Sequence, residues 1–176
     1  IKGHYSGHAE MRHVKGVDMS TGSLGQGVSA ACGIAKELKR KGNPARVYCM
    51  TGDGESEEGQ VWEAAMFASH YKLDNLTLFL DFNCLQIDGD IRRVLNPTPF
   101  DEKYKAFGWH TIVIDGHNFE EIEKAVAEAE QTKGMPTAII CRTIKGKGVS
   151  YMENVADWHG KAPNEELYKI AKAELA

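Results

Sequence analysis

One run, Leu76-Thr77-Leu78-Phe79-Leu80, restricts the possible folds more than any other stretch of this sequence. It is nearly all apolar, and such a strand implies burial on both faces, as in a parallel sheet covered by helices. Three further runs read as strands: Arg46 to Met50, Thr111 to Ile114 and Thr137 to Ile140. Segments with helical spacing fall between them. One extends from about residue 57 to 71, with Val61, Trp62, Ala65, Met66 and Ala68 on its apolar face. A short one lies around Tyr104, another covers residues 120–131, and a last begins near Asn164. Strand and helix alternate throughout, which predicts an α/β fold with a parallel sheet flanked by helices on both faces.

The 176 residues suffice for one compact domain with a real core. No internal repeat or linker divides them, so residues 1–176 are expected to form a single domain. Residues 1–20, rich in His and Gly, read as a surface loop that carries His4 and His13 as surface histidines. From Thr21 small residues dominate through Ala35, and the basic cluster Lys36 to Lys41 precedes the stop Gly42-Asn43-Pro44. That pattern predicts a helix packed close against a neighbour, with a solvated basic end favoured by the helix dipole.

Composition removes several functions. A net charge of −4 with scattered basic residues argues against nucleic acid. No apolar run approaches the roughly 18 residues of a membrane span, and no signal-peptide pattern is present. Cys32, Cys49, Cys84 and Cys141 stand apart, without metal spacing or a disulfide framework, so a reducing cytoplasm is the default expectation. Cys49 and Cys141 lie in apolar strand-like runs and read as small core residues.

Ligands of open parallel sheets collect at the carboxyl ends of the strands. The unusual segments Gly52-Asp53-Gly54, Asn83 and 146–159 are expected there. Glycines on both sides of Asp53 bare the backbone, so amide N–H groups can approach an anion, and the next helix points its positive end at the same place. An Asp beside phosphates calls for a hard divalent cation between them, Mg2+ or Ca2+ with oxygen ligands. Asn83 offers a neutral carbonyl oxygen to that cation. By itself Gly-Asp-Gly is most often a turn, but here a helix follows it, not a returning strand. The Gly-x-x-x-x-Gly-Lys-Ser/Thr loop and the Gly-x-Gly-x-x-Gly fingerprint are both absent.

Gly52-Asp53-Gly54 with Asn83 about thirty residues on resembles the thiamine-diphosphate motif. The text from Thr51 to Ala64, the segment Thr21 to Gly27, and Trp158-His159-Gly160-Lys161-Ala162-Pro163 resemble transketolase within that superfamily. The likeness extends over nearly the whole chain from about Ser6. It implies the thiamine-diphosphate-binding fold, with Asp53, the Asn83 side chain and the Leu85 carbonyl as metal ligands. Gly54 would touch the diphosphate, Gly22, Ser23 and Leu24 would lie along the cofactor, and Ile87 would wall its rings, unless Ile87 is plain core.

By the same resemblance His159 stands near diphosphate and substrate, where anions would favour its charged form. Lys145 would lie near the diphosphate, the alternative being a solvated loop lysine. His8 would contact substrate, although Ala9 replaces the family's usual Pro. Glu58 would meet the cofactor-activating glutamate of a neighbouring subunit, the alternative being an acid at a helix start.

That activating glutamate belongs to a pyrimidine-binding domain of about 150 or more residues, which leaves no room for it in this chain. The expectation is therefore the N-terminal subunit of a split transketolase. It would pair with a C-terminal subunit as a dimer of heterodimers and act on sugar phosphates. Family members also carry a leading helical segment with further histidines, which this chain is expected to lack. Other readings are a non-catalytic or truncated thiamine-diphosphate-binding module, a related enzyme such as 1-deoxyxylulose-phosphate synthase, and a nucleotide-binding oxidoreductase.

Overall fold

The computed structural model describes residues 7–176; His4 and Ser6 lie outside the described residues. Strands β1 (Val47–Gly52), β2 (Leu76–Phe82), β5 (His110–Asp115) and β6 (Thr137–Arg142) form one sheet in the order β1-β2-β6-β5. Every neighbouring pair is parallel, with Val47 opposite Leu76, Thr77 opposite Thr137, and His110 opposite Thr137. All four strands therefore end at the same rim.

Parallel strands need long crossovers, and the helices supply them. Helix α1 (Gln26–Arg40) precedes β1, and α2 (Gly59–His70) joins β1 to β2. The turn α3 (Ile91–Val94) and helix α4 (Phe100–Ala106) follow β2, α5 (Phe119–Gln131) joins β5 to β6, and α6 (Glu165–Glu174) closes the chain. Asn118 and Asn164 cap the last two helices by accepting from Glu120 and Glu121 N–H and from Leu167 N–H respectively.

The expected close packing of the small-residue helix is present. Ala31, Cys32 and Ala35 of α1 and Ala64, Ala65 and Ala68 of α2 are all buried in the larger core with Leu76, Leu78 and Leu80. The Cys32 thiol reaches the Ala64 carbonyl at 3.6 Å, an approach that large side chains would prevent. On the opposite face α5 covers Ile139, Cys141 and Ile114. Tyr48 and Met50 on the β1 side of that face stay exposed.

Two local readings change. Met66 is 53% exposed, and Ala64 takes its expected place on the buried face of α2. The stretch after β2 forms a small antiparallel hairpin, β3 (Leu85–Gln86) with β4 (Gly89–Asp90). Cys49 is half-buried, whereas Cys141 is buried as expected.

Candidate functional site

The site is assembled from the segments that leave β1, β2 and β6 at the common rim. Asp53 follows β1 directly and is 1% exposed. Its Oδ1 accepts from the Gly54 amide at 2.8 Å and its Oδ2 from the Cys84 amide at 2.5 Å. Burial pushes its carboxyl up to about 6, against the pull of the Gly54, Cys84 and Asn83 amides and with a further push from Asp81. Among the described residues Asp53 forms no ion pair. Asp53 and Asn83 thus occupy one neighbourhood.

Asn83 lies one residue past β2. Its Oδ1 accepts from Leu85 N–H at 3.0 Å and its Nδ2 donates to Asp81 Oδ2 at 3.1 Å. Cys84 adopts a left-handed backbone, φ +65°, which turns its amide onto Asp53. Its carbonyl in turn accepts from Ile91 N–H at 3.1 Å, so the loop is tied at both ends. Ile87 occupies the tip of the β3–β4 hairpin and is 70% exposed, which excludes a core role.

Gly54 is required sterically: a Cβ there would stand 2.9 Å from Gln86 Cβ. Gln86 itself donates to Glu57 at 2.6 Å. This bare backbone beside a buried acid fits a diphosphate held through a cation. A carboxylate, a carboxamide and a peptide carbonyl make an all-oxygen donor set suited to Mg2+ or Ca2+. Among the described residues no group of three or more His, Cys, Asp or Glu side chains gathers that could hold a metal.

Across β1 lies the Gly22–Leu24 segment. The His8 ring stands where a side chain on Gly22 would go, 3.0 Å to Nδ1. His8, Gly22, Leu24 and Glu55 border a cavity of about 680 Å³. A second, of about 440 Å³, is bordered by Asn83, His117, Thr143 and Lys145, and Met50 borders both. Ser23 and Leu24 are exposed, as Ile87 is, and offer surface to a ligand or another chain. Glu58 is exposed at the N-cap of α2 without making a side-chain cap bond, and its Cβ lies 3.0 Å from where a Gly25 side chain would begin.

After β6 the chain winds through tight turns. Trp158 Nε1 donates to the Tyr151 carbonyl at 2.9 Å, and the two rings stand 5.1 Å apart, which fixes the start of the His159 segment. Lys145 Nζ lies 3.2 Å from His159 Nδ1. His159 is exposed; the slight desolvation of its ring and then the Lys145 ammonium hold it below its ordinary pKa. The cation beside the ring is Lys145, and the anions that would favour its charged form belong to the expected ligands. His13 is exposed, as a surface histidine should be.

Glu55 and Asp81 also belong to the rim, although neither is among the residues expected from the sequence. Glu55 accepts from Gly25 N–H at 2.9 Å and Gly52 N–H at 3.2 Å. Asp81 binds both Asn83 and the Thr143 hydroxyl. Its one sequence signal was an acid closing an apolar strand.

A parallel α/β rim that gathers a buried acid without an ion pair among the described residues, a bare glycine backbone and a carboxamide is the ligand-binding edge of an open α/β sheet. The profile of the family "Transketolase, thiamine diphosphate binding domain" matches residues 1–176. A relative named 6-deoxy-6-sulfo-D-fructose transketolase subunit SqwG, from Clostridium sp. (strain MSTE9), is 48% identical over 96% of this chain and 61% of its own length. Human transketolase is 48% identical over 82% of this chain and 23% of its own. The crystal structure of Campylobacter jejuni transketolase superposes with a TM-score of 0.84 at 36% identity, over 90% of this chain and 26% of that one. The chain belongs to the transketolase family and corresponds to its thiamine diphosphate-binding domain. It spans about a quarter of the full-length transketolases. No helix among the described residues is long and apolar enough to cross a membrane.

Proposed function

We propose that this chain is the diphosphate- and metal-binding half of a transketolase, one that moves a two-carbon ketol unit from a ketose phosphate to an aldose. A separate C-terminal subunit with the pyrimidine-binding domain completes it, in a dimer of heterodimers. Thiamine diphosphate supplies, when bound, the nucleophilic carbon and electron sink that such a transfer needs. The observation that carries the reading is the buried Asp53 carboxylate, held by amides and without an ion pair among the described residues. A divalent cation is the counter-charge that such an acid accepts.

In this reading Asp53, Asn83 Oδ1 and the Leu85 carbonyl hold Mg2+ or Ca2+, and the Gly54 backbone approaches the diphosphate. Gly22, Ser23, Leu24 and Ile87 give the cofactor a surface that is exposed in this chain by itself. Lys145 and His159 act as a pair. The ammonium attracts the diphosphate, and the imidazole beside it exchanges a proton near the reacting carbons. His8, bordering the larger cavity, contacts the sugar. Glu58 projects from the surface toward the partner's activating acid.

The likeness to a relative named as a subunit supports the divided arrangement, and that name extends the donor class to a ketose carrying a sulfonate. The test mixes the chain with a candidate pyrimidine-domain partner, Mg2+ and thiamine diphosphate. Ketol transfer from fructose 6-phosphate or its 6-deoxy-6-sulfo counterpart should appear only in the mixture. Asp53→Ala should abolish metal-dependent cofactor binding and leave the amide spectrum folded. Cofactor binding that ignores chelators would exclude the proposal, and an inert mixture would reassign the chain as a non-catalytic module.

A further inference from the structure

Asp81 is the last acid of β2 and touches all three segments of the rim. Its carbonyl accepts from Asp53 N–H at 3.1 Å, on the β1 side. Its carboxylate accepts from Asn83 Nδ2 at 3.1 Å and from the Thr143 hydroxyl, which begins the loop leading to Lys145. Among the described residues it forms no ion pair.

These contacts settle which way the Asn83 carboxamide faces. A carboxylate only accepts and a peptide N–H only donates. Asp81 must therefore receive the amide nitrogen, and the Leu85 N–H must meet the amide oxygen. That oxygen keeps a second lone pair, the one a cation needs. Without Asp81 the amide could turn over and present its NH2 group, which has no lone pair to offer and would repel a cation.

We propose that Asp81, anchored by Thr143, is a positioning residue that holds Asn83 Oδ1 in its metal-binding orientation. The inference rests on the proposed function and deepens it, since it assigns a task to a residue outside the ligand set. Groups that orient metal ligands are commonly worth about 10- to 100-fold in metal affinity. Asp81 acts here through the lock on the carboxamide, not through its charge or by direct ligation.

The experiment titrates the full chain with Mg2+ and inorganic diphosphate, and reads the Gly54, Cys84 and Leu85 amide shifts together with the Asn83 side-chain NH2 resonances. Asp81→Leu removes both acceptors and should lower affinity about 10-fold or more, with the Asn83 NH2 losing its hydrogen-bonded shift. Asp81→Asn keeps an acceptor for Asn83 Nδ2 and can still bond Thr143, so its loss should be clearly smaller. Thr143→Val, which frees Asp81 without removing it, should fall between wild type and Asp81→Leu; these last two variants decide the matter should Asp81→Leu fail to fold. Equal losses in Asp81→Asn and Asp81→Leu, or an unaffected Thr143→Val, would assign Asp81 to charge or direct ligation and overturn the inference. Asp53→Ala is the control. If it abolishes binding while Asp81→Leu binds like wild type, only this inference is lost. If wild type binds nothing, or Asp53→Ala binds equally well, the proposed function falls too.

Discussion

Glu55 holds Gly25 across thirty residues of sequence: one carboxylate oxygen accepts the Gly25 amide at 2.9 Å while the other accepts Gly52 at 3.2 Å. Gly25 is the N-cap of α1, with a left-handed backbone at φ +79° and no side chain to cap its own helix. A single acid after β1 thus fixes the start of α1 beside the Asp53 loop. Because Gly22–Leu24 precede α1, the same clasp sets the distance between the two halves of the site.

Glu55→Ala leaves two part-buried amides without acceptors. The expected cost is about 1–3 kcal/mol per amide left unpaired, seen as a lower urea midpoint. Glu55→Gln should recover part of it, since an amide keeps one acceptor and turns a donor toward the other N–H. An unchanged midpoint for Glu55→Ala would show that the clasp contributes nothing to stability.

Gly54→Ala places a methyl 2.9 Å from Gln86 Cβ, and Gln86 is held by Glu57. Either the hairpin moves or the Gln86–Glu57 bond breaks. Overpacking of this kind costs about 1–3 kcal/mol. Thermal denaturation should show that loss, and binding of Mg2+ with diphosphate should weaken beyond it, because the hairpin carries Leu85 and Ile87. Substitution at Gly59, whose Cβ meets nothing within 4 Å, serves as a neutral comparison.

Cys84 maintains φ +65° so that its amide reaches Asp53. A left-handed residue with a Cβ costs roughly 1–2 kcal/mol, partly offset in glycine by greater chain entropy. Cys84→Gly should therefore match or exceed wild-type stability by up to about 1 kcal/mol. Cys84→Val, branched at Cβ, should lose more than either and should weaken metal binding. Denaturant titration of the three proteins checks the order.

The Lys145–His159 pair predicts a pH effect. Slight desolvation first, then the Lys145 ammonium 3.2 Å away, lowers the His159 pKa. A lowered histidine pKa means that the unfolded chain binds the proton more readily. The associated stability is full above the ordinary histidine range and is lost as pH falls through the folded value. NMR titration of the His159 ring should give a midpoint below 6.5 in wild type. Lys145→Met should shift it upward, and Mg2+ with diphosphate should also raise it by placing anionic oxygens nearby. No upward shift in either case would dissolve the pair.

Much of the architecture is legible in the sequence because its signals are local. The apolar run at Leu76–Leu80 needed helices on both faces, and Asn164 before an acidic turn marked the start of the last helix. Gly52-Asp53-Gly54 and Asn83 were legible for the same reason, since close backbone approach and strand ends leave marks in adjacent residues. Met66 was misplaced because a helix of mostly small residues has no sharply defined apolar stripe, and Ala64 fills the buried position equally well.

What the sequence determined was the order of strands and helices and the chemistry available at the strand ends. The tertiary structure alone decided which partners those groups meet. It set Glu55 on Gly25, Asp81 between Asn83 and Thr143, and the Lys145 ammonium beside His159, and it turned Ile87 out to the tip of a hairpin. Glu55 and Gly25 are 30 residues apart and Asp81 and Thr143 are 62. Periodicity and capping follow from covalent neighbours within a turn or two. Hydrogen bonds across such separations exist only once packing has brought the strand ends to one rim.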